Sequence, residues 1–179
     1  MYKFIQFLTF SRLASGPIIF LLIHKSFFLL ASVLFILSSI SDFYDGFLAR
    51  KYNLTSQLGE VLDPVADKIL VIFLIISLAL EFESIYIGAA GCLIFSRDLW
   101  IGALRDLNAR TFNTTATNVT FLAKCKTAAQ FIALTSYLLG LHFNNTFIIF
   151  LADILLLLAV VLSLKTGFNY SISTFALKK

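Results

Sequence analysis

The chain has 179 residues, of which 59% are hydrophobic and only 13% are charged. A soluble domain carries about a quarter charged residues, so this polar surface is too small to cover a water-soluble globule. The composition excludes an ordinary soluble enzyme and indicates an integral membrane protein with a single membrane-embedded domain, residues 1–179. The net charge of +4 does not indicate nucleic-acid binding, because no basic stripe with interleaved aromatic residues accompanies it.

Six apolar runs approach the roughly 20 residues that a helix needs to cross the hydrocarbon core of a bilayer. In chain order they cover residues 5–23, 27–44, 62–80, 85–101, 123–141 and 147–164. The connections "HKS", "EFES" and "HFNNT" are short, so the helices that they join should run antiparallel. The sequence therefore predicts an all-α fold of about six transmembrane helices.

The distribution of lysine and arginine along the chain predicts the orientation of these helices. At one set of helix ends the sequence has Lys25, Glu81 and Glu83. The opposite set of helix ends carries most of the cations. The second group consists of Lys3, Arg50, Lys51, Arg105, Arg110, Lys124, Lys126, Lys165, Lys178 and Lys179. Because positive residues accumulate on the cytoplasmic side, both termini and the connection between the second and third helices should be cytoplasmic.

Four aspartates interrupt the apolar pattern in the stretch "SDFYDGFLARKYNLTSQLGEVLDPVADK", residues 41–68. Asp42 and Asp45 are three residues apart, and Asp63 and Asp67 are four apart, so each pair lies on one helix face. If the two helices are antiparallel neighbours, the pairs face each other just inside the membrane boundary. Carboxylates this close need counter-charge, and an all-oxygen ligand set suits magnesium, manganese or calcium rather than zinc. Four carboxylates predict two divalent ions with positions left for phosphate oxygens.

The residues between the two pairs favour a phosphate-bearing ligand. Gly46 and Gly59 lack side chains and allow a flat ligand to approach the backbone. Arg50, one turn past Gly46, is placed to clamp a phosphate. Glycines in membrane helices also serve close helix packing, and a single aspartate pair is often a solvated interfacial charge. Two facing pairs with Gly, Ala49 and Arg at fixed offsets favour the site over both of these structural interpretations.

Read together, these positions form the pattern D-x2-D-G-x2-A-R-x8-G-x3-D-x3-D over 26 residues. The pattern resembles the signature of the CDP-alcohol phosphatidyltransferase family, with no departures. The resemblance implies that two ions, magnesium or manganese, are held by Asp42, Asp45, Asp63 and Asp67. It also implies that CDP-diacylglycerol is bound by Gly46, Ala49, Arg50 and Gly59. Asp67 would in addition act as the general base on the incoming alcohol.

Four further stretches resemble the phosphatidylglycerophosphate synthases within that family. They are "LTFSRLASGPIIF" (8–20), "SRDLWIGALRDLNA" (96–109), "LAKCKTAAQFIAL" (122–134) and "LLLLAVVLSLKTGFNY" (155–170). The resemblance implies transfer of a phosphatidyl group from CDP-diacylglycerol to glycerol 3-phosphate with release of CMP. It further implies a multi-pass homodimer in a bacterial cell membrane.

An acceptor that carries a phosphate requires cations near the metal ligands. Arg105, Lys124 and Lys126 lie at the cytoplasmic ends of the fourth and fifth helices, although ordinary positive-inside residues would lie there too. Arg12 and Arg97 lie within apolar runs, where an unpaired charge is costly. Arg12 should therefore face a cavity, and Arg97 should have a bound phosphate or a clustered aspartate as its partner. The adjacent Asp98 is expected to point elsewhere on the helix.

Three alternatives remain open at this point. The same chemistry with phosphatidylglycerol, serine or inositol phosphate would use the same aspartates, but a neutral or zwitterionic acceptor would not need the extra cations. A small cation transporter would have little use for Arg50 beside the carboxylates. A prenyltransferase normally carries its two aspartate motifs on distant helices. Asp153, in the last apolar run, either pairs across helices or marks a subunit contact.

Overall fold

The structure, a computed structural model, describes residues 2–51, 57–110 and 121–176, and side chains at 10–41, 62, 65–110, 122 and 124–175. The described residues form six α-helices and contain no strand. In chain order they are α1 (Tyr2–His24), α2 (Phe28–Lys51), α3 (Gln57–Glu81), α4 (Ile85–Arg110), α5 (Phe121–Phe143) and α6 (Thr146–Ala176). Each helix contains one of the six predicted runs almost entirely, which confirms the all-α fold. Most helices extend beyond the run, because apolar composition marks the part in contact with lipid rather than the whole helix.

The outer surface of the helices is apolar, as expected for a protein in lipid. Within the part of the chain that the structure describes, α4 and α6 contain a continuous apolar window long enough to cross a membrane, and shorter apolar segments occupy Phe10–His24 and Phe28–Ser41. Large exposed side chains include Leu21, Leu30, Phe147, Leu157 and Phe168. This much exposed apolar surface is unfavourable in water and suits a hydrocarbon solvent. Together with the composition, it makes the chain an integral membrane protein.

Three tight turns join the helices in pairs: α1 with α2, α3 with α4, and α5 with α6. Each turn has one non-glycine residue in the left-handed region, Ser26, Glu83 or Asn144, with φ of 60°, 47° and 48°. The next N–H returns to a carbonyl five residues earlier, at 2.8 Å for Phe27 to Leu22, 3.0 Å for Ser84 to Ala79 and 3.0 Å for Asn145 to Gly140. This is the Schellman motif, which satisfies the last carbonyls of a helix. The predicted antiparallel helix pairs are confirmed.

Helix α1 packs against both α2 and α3, while α4 lies against α3 and α6, and α5 against α6 and α2. Phe35 of α2 stacks on Phe131 of α5 with ring centroids 5.2 Å apart. Gly16 of α1 lies so close to α3 that a Cβ there would be 3.2 Å from Phe73. Small residues at such crossings allow close approach of helices in lipid, where packing replaces the hydrophobic effect.

Asp153 of α6 pairs across helices, as the first of the two predicted explanations expects. Its carboxylate accepts a hydrogen bond from the hydroxyl of the fully buried Tyr137 of α5. Its backbone carbonyl accepts a second one, 2.9 Å long, from Tyr86 of α4. Three helices are thus joined by one polar cluster. The cluster lies near the tight turns, about three helical turns from Arg97 and Lys126 on α4 and α5.

Candidate active site

A cavity of about 830 Å³ lies between α3, α4 and α5, and its wall changes character along its length. One end is apolar and includes Ile75, Ile76, Ala79, Leu80 and Gly91. The other end is polar and is formed by Asp67, Lys68, Arg97, Asp98, Arg105, Lys126, Thr127 and Gln130. Among the side chains that the structure describes, four cations and two carboxylates line this end, an excess of positive charge. Such a cavity suits a ligand with an anionic head and an apolar tail.

Asp67, the last aspartate of the predicted cluster, lies at the polar end of this cavity. It is partly buried, and its charge acts on the ammonium of Lys126 on the opposite wall. The backbone is helical through residues 42–45 of α2 and 63–67 of α3. The predicted spacing therefore keeps each aspartate pair on one helix face.

The remaining signature positions lie outside the part of the chain whose side chains the structure describes. These are Asp42, Asp45, Gly46, Ala49, Arg50, Gly59 and Asp63. Their assignment to metal and CDP-diacylglycerol stays a prediction, as does the facing of the two aspartate pairs. The implied metal can still be compared with the chemical nature of its predicted ligands. All four ligands would be hard carboxylate oxygens, and Asp67 lies beside the cationic wall that a phosphate would need. This set fits magnesium or manganese.

Lys126 is the most buried cation of the cavity wall, with only 5% of its surface exposed. Its Nζ donates to both carboxylate oxygens of Asp98, at 2.7 Å and 2.9 Å. Asp98 lies one helix away, on α4, and also accepts from NH1 of Arg97 at 2.8 Å. One carboxylate therefore links two cations from different helices.

Each of the three guanidinium nitrogens of Arg97 donates a hydrogen bond to a protein group. Its Nε donates to the carbonyl of Ser163 at 3.0 Å, and its NH2 donates to Oγ1 of Thr166 at 2.7 Å. Gly167 leaves room for the arginine stem, because a Cβ there would lie 2.9 Å from Cγ of Arg97. The expectation that Asp98 points away from Arg97 is wrong. Adjacent side chains leave a helix about 100° apart, but the long arginine stem spans that angle.

The other cations that were predicted to bind the acceptor phosphate differ in whether they line the cavity. Arg105 lines the cavity although it is largely exposed, whereas Lys124 is exposed and lies off the wall. Arg12 is 1% exposed and lies one turn before Gly16, whose neighbours belong to α3. It is inside the protein and away from lipid, as expected. The cavity thus brings together Asp67, Arg97, Arg105 and Lys126, but not Lys124 or Arg12.

Four polar residues of the wall were missed at the sequence level: Lys68, Asp98, Thr127 and Gln130. Lys68 extends across to α4, where its Nζ is 3.5 Å from the carbonyl of Asp98. Gly102 of α4 lies close to it, and a Cβ there would be in ordinary contact with that nitrogen at 3.7 Å. The sequence does indicate a role for Lys68, because this lysine directly follows Asp67 and precedes an apolar run. Gln130 lies four residues after Lys126, and therefore on the same helix face.

The fold and the cavity define a membrane-embedded site for an anionic lipid substrate, and comparison with known proteins gives the family. Residues 5–165 match the family model of the CDP-alcohol phosphatidyltransferases, so the chain belongs to this family, as the signature indicated.

Curated relatives within the family cover almost the whole chain. A protein of Rickettsia bellii, named CDP-diacylglycerol–glycerol-3-phosphate 3-phosphatidyltransferase, is 37% identical over 170 residues, 92% of this chain and 91% of its own length. Its namesake from Rickettsia typhi is 35% identical over 92% of this chain and 93% of its own length. A third, from Blochmanniella floridana, is 35% identical over 84% of this chain and 78% of its own length.

Proposed function

We propose that this protein transfers the phosphatidyl group of CDP-diacylglycerol to glycerol 3-phosphate, giving phosphatidylglycerophosphate and CMP. The observation that carries the proposal is the position of Asp67. This aspartate of the family signature lies at the cation-rich end of a cavity whose other end is apolar. The names of the relatives specify both substrates and support the same donor and acceptor.

The reaction is a substitution at the phosphorus atom that carries the lipid. The acceptor hydroxyl oxygen forms the new P–O bond, the bond to CMP breaks, and CMP leaves with its electron pair. The hydroxyl proton passes to the Asp67 carboxylate, whose partly buried position makes it a suitable base. Magnesium or manganese held by Asp42, Asp45, Asp63 and Asp67 would neutralise charge on the diphosphate and the leaving CMP.

The two substrates use different parts of the site. Gly46, Ala49 and Gly59 border the cytidine nucleotide, and Arg50 contacts its phosphates. The acceptor phosphate meets Lys126 and Arg105 on the cavity wall, with Lys68 beside them. Arg97 is part of this wall and supports it, since each of its guanidinium nitrogens already donates to Asp98, Ser163 or Thr166. Lys124 and Arg12 do not line this cavity.

The proposed setting is a homodimer in a bacterial cell membrane, with six membrane-spanning helices. The active site and both termini lie on the cytoplasmic side, which agrees with the excess of lysine and arginine at those helix ends. The orientation is tested with a variant in which Cys92 and Cys125 are replaced by serine and one cysteine is introduced at Lys25 or Arg110, which is then labelled with a membrane-impermeant reagent. Only the cysteine at position 25 should react from outside intact cells. Cross-linking in native membranes tests the dimer.

The decisive experiment offers purified protein CDP-diacylglycerol and magnesium with one labelled acceptor at a time. Glycerol 3-phosphate should give a labelled lipid and one CMP per transfer, and a chelator should stop the reaction until magnesium is restored. Phosphatidylglycerol, serine and inositol phosphate should give no product. Transfer to one of these three and not to glycerol 3-phosphate would overturn the acceptor assignment. Transport of a cation without CMP release would overturn the reaction itself.

A further inference from the structure

The ammonium of Lys126 is held in one position by Asp98. A lysine side chain is a flexible four-carbon stem that adopts many conformations in water. Here 7% of the Lys126 side chain is accessible, and both oxygens of Asp98 accept hydrogen bonds from Nζ. A buried ammonium without such a partner would be costly. Asp98 therefore both pairs the charge of Lys126 and fixes where the ammonium lies.

Asp98 is itself held in place by the rest of the bundle. Arg97 donates to Oδ1 of Asp98 and is bound in turn to two groups of α6, the carbonyl of Ser163 and the hydroxyl of Thr166. The hydroxyl of Thr166 in turn donates to the carbonyl of Leu162, one turn earlier in α6, at 2.8 Å. A continuous chain of polar contacts thus runs from α6 through α4 to Lys126 on α5. The position of the ammonium is determined by three helices.

This chain of contacts ends at the polar wall of the cavity. Lys126, Asp98 and Asp67 all line it, and the charge of Asp67 attracts the Lys126 ammonium from the opposite side. An ammonium has three N–H donors, and two are directed at Asp98. The third remains for an oxygen in the cavity. An anion bound between Lys126 and Asp67 would therefore lie next to the residue proposed as the base.

We infer that Asp98 is a positioning residue for the acceptor: it fixes the Lys126 ammonium at the cavity wall, where that ammonium meets the phosphate of glycerol 3-phosphate. The inference rests on the proposed function for the identity of the acceptor. Asp98 does not touch the substrate. Its contribution is to orient a cation that does, so its loss should affect the acceptor and spare the lipid donor.

The test measures the KM for each substrate in the Asp98→Asn variant. The amide keeps the size but loses the charge that orients Lys126, so KM for glycerol 3-phosphate should rise about tenfold. KM for CDP-diacylglycerol should stay within about twofold, and Asp98→Glu should recover part of the loss. Asp106→Asn is the matched control, since Asp106 pairs with Arg110 on the exposed side of the same helix. An equal rise in both KM values would mean that Asp98 only holds helices together.

A double-mutant comparison distinguishes positioning from an independent effect. In the Lys126→Met background there is no ammonium to orient, so adding Asp98→Asn should raise KM for glycerol 3-phosphate no further. A full additional rise would overturn the inference. If Asp98→Asn does not fold, Thr166→Val loosens the support of Arg97 without changing any charge. This variant should raise the same KM about threefold, and no rise would count against the inference.

Binding of inorganic phosphate separates this inference from the proposed function. Phosphate should raise the unfolding temperature of the wild-type protein, and Asp98→Asn should lose most of that protection while Asp106→Asn retains it. If the wild-type protein does not use glycerol 3-phosphate, the proposed function fails, and phosphate protection still decides the role of Asp98. Protection that is absent in the wild type, or unchanged in Asp98→Asn, would contradict the inference.

Discussion

Tyr137 of α5 donates a hydrogen bond to the carboxylate of Asp153 of α6, and this pair connects two helices far from the cavity cations. Tyr137 is fully buried, so its hydroxyl has no water as an alternative partner, and Asp153 is partly buried. Tyr86 of α4 adds a hydrogen bond to the backbone carbonyl of Asp153, at 2.9 Å, but is 41% exposed. The two tyrosines differ in burial and in the acceptor that they satisfy.

Removal of the Tyr137 hydroxyl should therefore cost more stability than removal of the Tyr86 hydroxyl. Tyr137→Phe leaves a carboxylate without its donor inside the bundle, and we expect a loss of about 1 kcal/mol in the free energy of unfolding. Tyr86→Phe should cost clearly less. Thermal unfolding in one detergent measures both, and KM for either substrate should not change. A larger loss for Tyr86→Phe would contradict this interpretation of the cluster.

Replacement of Asp67 tests the chemistry rather than the fold. Asp67→Asn removes the proposed base and one metal ligand, so CMP release should fall at least about 100-fold. The substitution keeps the size of a side chain on the cavity wall, so the unfolding temperature should change little. Asp106→Asn again serves as the control and should keep wild-type turnover. Normal CMP release by Asp67→Asn would remove Asp67 from the mechanism.

The helices were predictable because lipid imposes a simple rule. Every backbone polar group in a bilayer must be satisfied within the segment, so a long apolar run becomes a helix. The helical period also predicts that each aspartate pair lies on one face of its helix. It could not give the partner of Arg97, because a pattern of spacing says nothing about the conformation of a long side chain. Nor could it show that Asp153 meets Tyr137, since this depends on how α5 and α6 pack.

The separation of Lys124 from Lys126 shows the same limit at the site. Both residues were expected to bind the acceptor phosphate, and they are only two positions apart. On a helix this places them about 200° apart, so one faces the cavity while the other is exposed. Sequence alone did not say which, because the neighbours of α5 were unknown. The cavity between α3, α4 and α5 supplies that information.

Gly167 allows Arg97 to lie against α6, and a methyl group there should disturb it. A Cβ at this position would lie 2.9 Å from Cγ and 3.2 Å from Nε of Arg97. Since Arg97 is bound to Asp98, Ser163 and Thr166, it cannot move away without losing hydrogen bonds. Gly167→Ala should therefore destabilise the protein by about 1–3 kcal/mol.

The matched control for that substitution is Gly88→Ala in α4. A Cβ at Gly88 would have its nearest neighbour, the Cβ of Ala79, at 3.8 Å, which is ordinary contact. Gly88→Ala should leave the free energy of unfolding unchanged or raise it slightly, because alanine favours the helix. Thermal unfolding of both variants makes the comparison. Equal losses of stability in the two variants would mean that Arg97 can move away from a Cβ at position 167 without an energetic penalty.

Glu83 adopts a φ of 47° in the turn between α3 and α4, a region that favours glycine. The turn closes a Schellman motif, in which glycine is the commonest residue at this position. Glu83→Gly should therefore stabilise the protein by about 0.5 kcal/mol, the relief of backbone strain being partly offset by chain entropy. Glu81→Gly, two residues earlier at the end of α3, should instead destabilise it by about as much or more. Thermal unfolding of the two variants should shift in opposite directions, and a lower unfolding temperature for Glu83→Gly would contradict the assignment of strain to this turn.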